Sequence, residues 1–122
     1  MQREHEEAMR ADFTTYTDLE RRMSRPRVTS YEVQLCDMKR HALAERWETG
    51  PHADHWAFLE DAYHDWRRNP ETMERFRADI SHNLELDGHV GLSDVQLRSL
   101  EQARTLTRQQ QSQRAERPVR ER

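Results

Sequence analysis

The segment between residues 29 and 51 has the sequence TSYEVQLCDMKRHALAERWETGP. It opens with the pattern of a capping box, in which the Thr29 hydroxyl accepts a hydrogen bond from the backbone of Glu32 and the Glu32 side chain bonds back to Thr29. It closes with Gly50 and a proline, which commonly follow the last turn of a helix. These signals predict a helix over about residues 30–49.

Apolar residues occupy two sides of this predicted helix. One stripe consists of Tyr31, Leu35, Met38 and Ala42, and the other of Val33, Cys36, Leu43 and Trp47. A helix with apolar residues on two sides is normally covered by neighbouring helices on both. We therefore expect this helix at the centre of a helical bundle.

Four other segments carry apolar residues three and four positions apart, which is typical of amphipathic helices. We predict these helices over about 3–24, 52–68, 70–86 and 93–110. Their inward residues are expected to be Met9, Phe13, Tyr16 and Met23, then Trp56, Leu59, Tyr63 and Trp66, then Met73, Phe76, Ile80 and Leu84, and finally Val95, Leu100, Ala103 and Leu106. The predicted fold class is all-α, a compact bundle of about five helices.

Proline, asparagine and serine mark the ends of these segments. Pro26 ends the first helix, because proline removes a backbone donor and restricts the residue before it. Asn69 is a suitable N-cap, and Pro70 follows at the first helical position, where a missing N–H group does no harm. Ser93 is expected to cap the fifth helix.

Composition separates a helical body from a basic tail. The chain has 122 residues, of which 35% are charged, with a net charge of −3. Residues 95–122 nevertheless carry seven Arg and only three Glu. We predict a single helical domain over 1–110 and a disordered Arg- and Gln-rich tail over 111–122. The few glycines and prolines argue against a β-sandwich.

The expected location is the cytoplasm. Cys36 is the single cysteine of the sequence, so no disulfide forms within the chain, and a reducing compartment fits. The first residues are polar and lack the apolar core of a signal peptide. No apolar run approaches the ~20 residues that a membrane-spanning helix needs.

Motifs of enzymes are missing from the sequence. It contains no phosphate-binding glycine loop, no Gly-x-Ser-x-Gly and no His-Glu-x-x-His. Cys36 lies between apolar residues, which is typical of a small core residue. We therefore predict a protein that is not an enzyme and that has no cofactor.

Histidines suggest a metal-binding helical bundle as one alternative. His52 and His55 are three residues apart, and His64 lies further along the same predicted helix. Two Asp-x-x-His pairs, ending at His64 and His82, have the spacing of metal ligands in bundles. Both of these histidines fall on polar helix faces, which favours surface contacts instead.

Arginine clusters next to aromatic residues favour a protein partner. The predicted contact residues are Arg21, Arg22, Arg25 and Arg27, together with Trp66, Arg67 and Arg68. Guanidinium groups bind carboxylates through paired hydrogen bonds, and Trp, Tyr and Arg dominate binding hot spots. The apolar stripe of the first helix is the face expected to form a homodimer.

Residues 83–102 place apolar side chains at Leu86, Val90, Leu92, Leu97 and Leu100, with Gly91 at a turn. This segment resembles the helix-turn-helix class of DNA-binding motifs. It departs from the pattern at Asp87 and at Gly88, which interrupts the first helix of the motif. The resemblance implies, as an alternative function, a DNA-associated regulator that also uses the basic tail. Its contact residues would be Gln96, Arg98, Ser99, Arg104 and Arg108.

The function predicted first is non-enzymatic. We expect a small cytoplasmic binding protein that docks onto a protein partner, of an accessory, regulatory or inhibitor type. Compact charged domains without catalytic motifs are common among such proteins of bacterial mobile elements and phages, and size and composition alone suggest that placement. Nucleic acid is the alternative partner, and no membrane is expected.

Overall fold

A computed structural model describes residues 1–88 and 90–116, and within them it contains five helices and no strand. The helices are α1 (Arg3–Met23), α2 (Ser30–Glu48), α3 (Ala53–Arg68), α4 (Pro70–Asp87) and α5 (Asp94–Glu116). The all-α prediction is confirmed, and only the end of α5 differs clearly, since α5 continues past residue 110. The rest of the predicted disordered tail, 117–122, lies outside the described residues. Among the helices described, none combines the length and apolar character needed to cross a bilayer.

The chain divides into two compact units, Met1–Ala57 and a second that begins at Phe58. The boundary falls within α3. The first unit therefore contains α1, α2 and the start of α3, and the second contains the remainder of α3 with α4 and α5.

Aromatic rings form the core of the first unit. Trp56 and Phe13 are fully buried, and their rings meet edge to face with centroids 5.3 Å apart. The Trp47 ring stacks on the Trp56 ring with nearly parallel planes and centroids 6.3 Å apart. The Tyr16 ring meets the Trp56 ring edge-on, with centroids 5.4 Å apart. Such pairs add ~0.5–1.5 kcal/mol each beyond their buried area. Trp56 thus links α1, α2 and the first turn of α3.

The Asp12 carboxylate on α1 connects α1 with α2 through hydrogen bonds. The Trp47 indole N–H donates a hydrogen bond of 2.8 Å to Asp12 Oδ2, and Arg46 Nη1 donates one of 3.1 Å to the same oxygen. Trp47 is buried, so its N–H depends on this acceptor.

Asp12→Ala should lower the free energy of unfolding by ~1–3 kcal/mol, because it leaves the buried Trp47 N–H without an acceptor. Asp12→Asn retains an acceptor oxygen and should have a smaller effect. Urea denaturation followed by circular dichroism measures both. Asp79→Ala, which removes an exposed carboxylate on α4, is the control and should change stability by less than ~0.5 kcal/mol. Equal stability of Asp12→Ala and the wild type would contradict this role.

The two apolar stripes of α2 have different surroundings. Cys36, Ala44 and Trp47 are buried, whereas Tyr31 is 72% and Met38 68% exposed. The expectation that α2 is covered on both sides is therefore wrong for the stripe that contains Tyr31. By contrast, Met9 and Phe13 of α1, which belong to the stripe expected to form a homodimer, are fully buried within the chain.

Residues of α3 and α5 supply most of the buried core of the second unit. The buried side chains are Leu59, Ala62, Tyr63, Trp66, Met73, Val95, Leu100, Ala103 and Leu106. Ion pairs connect α4 with α5, at 2.7 Å between Arg77 and Glu101 and at 3.0 Å between Arg104 and Glu74.

The apolar face of α4 is only partly covered. Met73 is buried as predicted, but Phe76 is 43% and Leu84 38% exposed. They border an open apolar groove of about 200 Å³ between α4 and α5, with Trp66 and Leu100 among its other walls. Phe76 and Leu84, predicted to point inward, are therefore only partly buried.

Capping follows the sequence signals with one exception. The Thr29 and Glu32 capping box is present, and Ser93 and Gln96 form an equivalent pair at the start of α5. Asn69 occupies the N-cap position of α4, but its side chain makes no capping hydrogen bond.

Candidate partner-binding site

Three arginines, Arg22, Arg25 and Arg27, lie at the end of α1 and in the connection between α1 and α2. α1 ends at Met23, and successive turns follow, in which Arg25 N–H donates to the Arg22 carbonyl and Val28 N–H to the Arg25 carbonyl. Arg27 has a φ of 66°. Left-handed backbone is unfavourable for a residue with a side chain, so the loop holds Arg27 in a strained conformation.

These arginines border a concave pocket of about 320 Å³, which we call the basic pocket. It is lined by Arg22, Arg25, Pro26, Arg27, Val28, Glu32, Leu35, Cys36 and Lys39. Its walls thus carry four cations and one carboxylate.

The carboxylate of the basic pocket, that of Glu32, accepts hydrogen bonds from Thr29. Glu32 Oε1 accepts hydrogen bonds from the Thr29 backbone at 3.3 Å and the Thr29 hydroxyl at 3.1 Å. Among the side chains of residues 1–88 and 90–110, the four cations Arg22, Arg25, Arg27 and Lys39 form no ion pair. The pocket therefore has uncompensated positive charge that faces solvent.

An exposed apolar surface adjoins the basic pocket. Tyr31, Leu35 and Met38 lie at intervals of four and three residues on α2, so they share one face, which we call the docking face. Leu35 is 38% exposed and also lines the basic pocket, so the two surfaces are continuous. Large apolar side chains beside cations are typical of protein-binding sites.

The structure separates the predicted partner-contact residues. It brings Arg22, Arg25 and Arg27 together in the basic pocket, whereas Arg21 forms an ion pair with Asp18 one turn earlier on α1. The other three predicted residues belong to the second unit.

Of these three residues, Trp66 is only 4% exposed and is part of the core. The Arg67 guanidinium lies 5.3 Å from the centre of the Tyr63 ring, and Arg68 is exposed. Lys39 and the docking face were not among the predicted contacts. The sequence shows the apolar stripe that contains the docking face, but its helical spacing predicts that neighbouring helices cover it.

The predicted DNA-contact residues are mostly engaged within the chain. Ser99 is buried, and the Gln96 side chain caps α5. Arg104 and Arg108 both approach Glu74, at 3.0 and 3.8 Å. Arg98 is exposed. The helices of the supposed motif end at Asp87 and begin at Asp94, a longer connection than the short turn of that motif.

The predicted histidine set is likewise divided. His52 and His55 lie in the first unit with ring centres 6.3 Å apart, whereas His64 lies in the second unit against Tyr63. The nearest ring to His52 is that of His5, which was not predicted. Among the residues described, no group of three or more His, Cys, Asp or Glu side chains is arranged to hold a metal ion.

The surroundings of His52 disfavour the charged form of its ring. Partial desolvation of its ring lowers the pKa of His52, and the neighbouring His5 and His55 and the N-terminal ammonium lower it further. The neutral form of its imidazole is therefore favoured.

The chain matches no protein-family model, and comparison with curated proteins and with solved structures finds no match either.

Proposed function

We propose that this protein is a non-enzymatic cytoplasmic binding protein of an accessory, regulatory or inhibitor type. It binds an acidic amphipathic helix of a partner protein across the docking face and the basic pocket. The observation that carries the proposal is the continuity of these two surfaces through Leu35.

The docking face supplies apolar contact area. Tyr31 and Met38 are the most exposed large apolar side chains of α2, and seven residues of helix separate them by ~10 Å. That distance spans two turns of a partner helix, which presents its own apolar residues at intervals of three, four and seven. Burying Tyr31 and Met38 would remove their apolar surface from water, which favours association.

The basic pocket supplies charge selectivity. Four unpaired cations attract carboxylates and repel basic segments, and arginine forks bind carboxylates with two parallel hydrogen bonds. A partner helix with Asp and Glu beside its apolar stripe therefore complements both surfaces. Because these cations are exposed, their attraction should weaken as salt is added.

The strain at Arg27 gives a prediction that separates stability from binding. Arg27→Gly should leave the free energy of unfolding unchanged or raise it by up to ~1 kcal/mol, because glycine adopts positive φ without a steric penalty. The same change should weaken partner binding. Arg27→Asn is the matched control, because asparagine also lacks the positive charge and tolerates the left-handed conformation. A marked loss of stability in Arg27→Gly by urea denaturation would contradict the strain.

A pair of synthetic peptides tests the proposed specificity. One is a 20-residue amphipathic helix with leucines at positions of one face and glutamates elsewhere, and the other has lysine in place of each glutamate. Fluorescence anisotropy of the labelled peptides against the full chain should show binding of the acidic peptide only, with affinity that decreases as salt increases. Equal binding of both peptides, or preference for the lysine peptide, would overturn the charge argument.

A further inference from the structure

Three histidines approach one another in the first unit, away from the residues of the basic pocket. His5 lies in α1, His52 immediately precedes α3, and His55 lies in the first turn of α3. The ring centres of His5 and His52 are 5.0 Å apart, and those of His52 and His55 are 6.3 Å apart. His5 and His52 are thus the closest pair, although 47 positions separate them in the sequence.

The ring nitrogens of this pair have the spacing of two ligands on one metal ion. His5 Nδ1 and His52 Nε2 lie 3.3 Å apart. Two imidazole nitrogens bound to a tetrahedral Zn²⁺ at ~2.0–2.1 Å are separated by ~3.3–3.4 Å. We propose that His5 and His52 form a two-histidine clamp for a Zn²⁺ ion, whose remaining positions are taken by water.

The surroundings of the pair suit this role. Imidazole ligates metal ions in its neutral form. His5 is exposed and His52 half-buried, so an ion reaches both rings from solvent and retains water molecules. The planes of the two rings are tilted by 43° to each other, so the rings are not stacked.

An ion in the clamp would connect the start of α1 to the turn before α3. Because His5 and His52 are 47 positions apart in the sequence, they are brought together by folding, so the ion binds the folded state and stabilises it. Zn²⁺ should therefore raise the melting temperature of the protein.

A direct hydrogen bond between the two rings is the competing explanation of the 3.3 Å distance. His5→Asn distinguishes the two, because asparagine can still hydrogen-bond to His52 but is a poor ligand for Zn²⁺. His52→Ala removes the other ligand. His82→Ala, which removes an exposed histidine on α4, is the matched control.

The test is isothermal titration of ZnCl₂ into the full chain, purified without a polyhistidine tag, together with melting curves with and without Zn²⁺. Circular dichroism in the presence of a chelator first establishes that each variant is folded. The wild type and His82→Ala should bind one Zn²⁺ at this site and melt at a higher temperature with the ion. His5→Asn and His52→Ala should each weaken that binding about tenfold or more and abolish the shift, since loss even of a residue that supports a ligand costs ~10–100-fold.

Two results would overturn the clamp. One is Zn²⁺ binding with the same affinity and thermal shift in His5→Asn as in the wild type, which would place the ion elsewhere or make it adventitious. The other is the absence of binding by the wild type at millimolar Zn²⁺, which would leave the histidine pair as a hydrogen bond alone.

Discussion

Trp56→Ala is expected to lower the free energy of unfolding by ~3–5 kcal/mol, the largest stability change of any single substitution considered for this chain. Trp56 is fully buried and touches the rings of Phe13, Tyr16 and Trp47. Its removal opens a cavity between α1, α2 and the start of α3. Since whole domains are stable by only ~5–15 kcal/mol, the variant should be largely unfolded at modest urea concentrations.

Trp56→Phe is the informative comparison. The Trp56 indole N–H is buried and has no hydrogen-bond partner in the part of the chain that the structure describes. Phenylalanine removes that unsatisfied donor and keeps a ring at the centre of the cluster, so its loss should be well below that of alanine. Near-ultraviolet circular dichroism and urea denaturation measure both variants. A Trp56→Ala protein as stable as the wild type would contradict the aromatic core described above.

Partner binding should be lost without loss of stability when the docking face or the basic pocket is altered. Two double variants, Tyr31→Ala with Met38→Ala and Arg25→Glu with Arg27→Glu, change exposed residues and should each alter stability by little more than ~0.5 kcal/mol per site. If Tyr31 and Arg25 are binding hot spots, truncation of each should cost ~2 kcal/mol or more of binding free energy. Each double variant should therefore weaken binding by at least ~30-fold.

The matched control is the double variant Arg67→Glu with Arg68→Glu. It reverses the same number of charges in the second unit, outside both surfaces. Affinity for the acidic peptide, measured by anisotropy, should be that of the wild type in this control. Equal loss of affinity in the control and in Arg25→Glu with Arg27→Glu would mean that overall charge, and not the basic pocket, determines binding.

Local signals in the sequence predicted the helices well. The capping box of Thr29 and Glu32, the proline at position 70 and Ser93 each act over three or four residues, and the helices begin within a residue of where these signals place them. The buried rings of α3 also followed from their spacing alone. Such features depend on neighbours along the chain, which a sequence displays directly.

Contacts between residues far apart in the sequence could not be predicted from these local signals. Both stripes of α2 have helical spacing, and only the position of α1 determines that Trp47 is covered and Tyr31 exposed. Arg104 was assigned to DNA because its partner Glu74 lies 30 positions away, and His5 was overlooked because His52 lies 47 away. Spacing identifies a helix face but not what packs against it.

Photo-crosslinking from position 31 tests the docking proposal most directly. Benzoylphenylalanine would replace Tyr31 in the full chain, with Ala78, an exposed residue of α4, as the control position. After irradiation in a nuclease-treated extract of the source cells, mass spectrometry identifies the attached peptide. The account predicts a peptide of a second protein that is richer in Asp and Glu than in Lys and Arg, absent with Arg25→Glu and Arg27→Glu and absent from position 78. A basic peptide, the same peptide from position 78, or no protein cross-link at position 31 would contradict it.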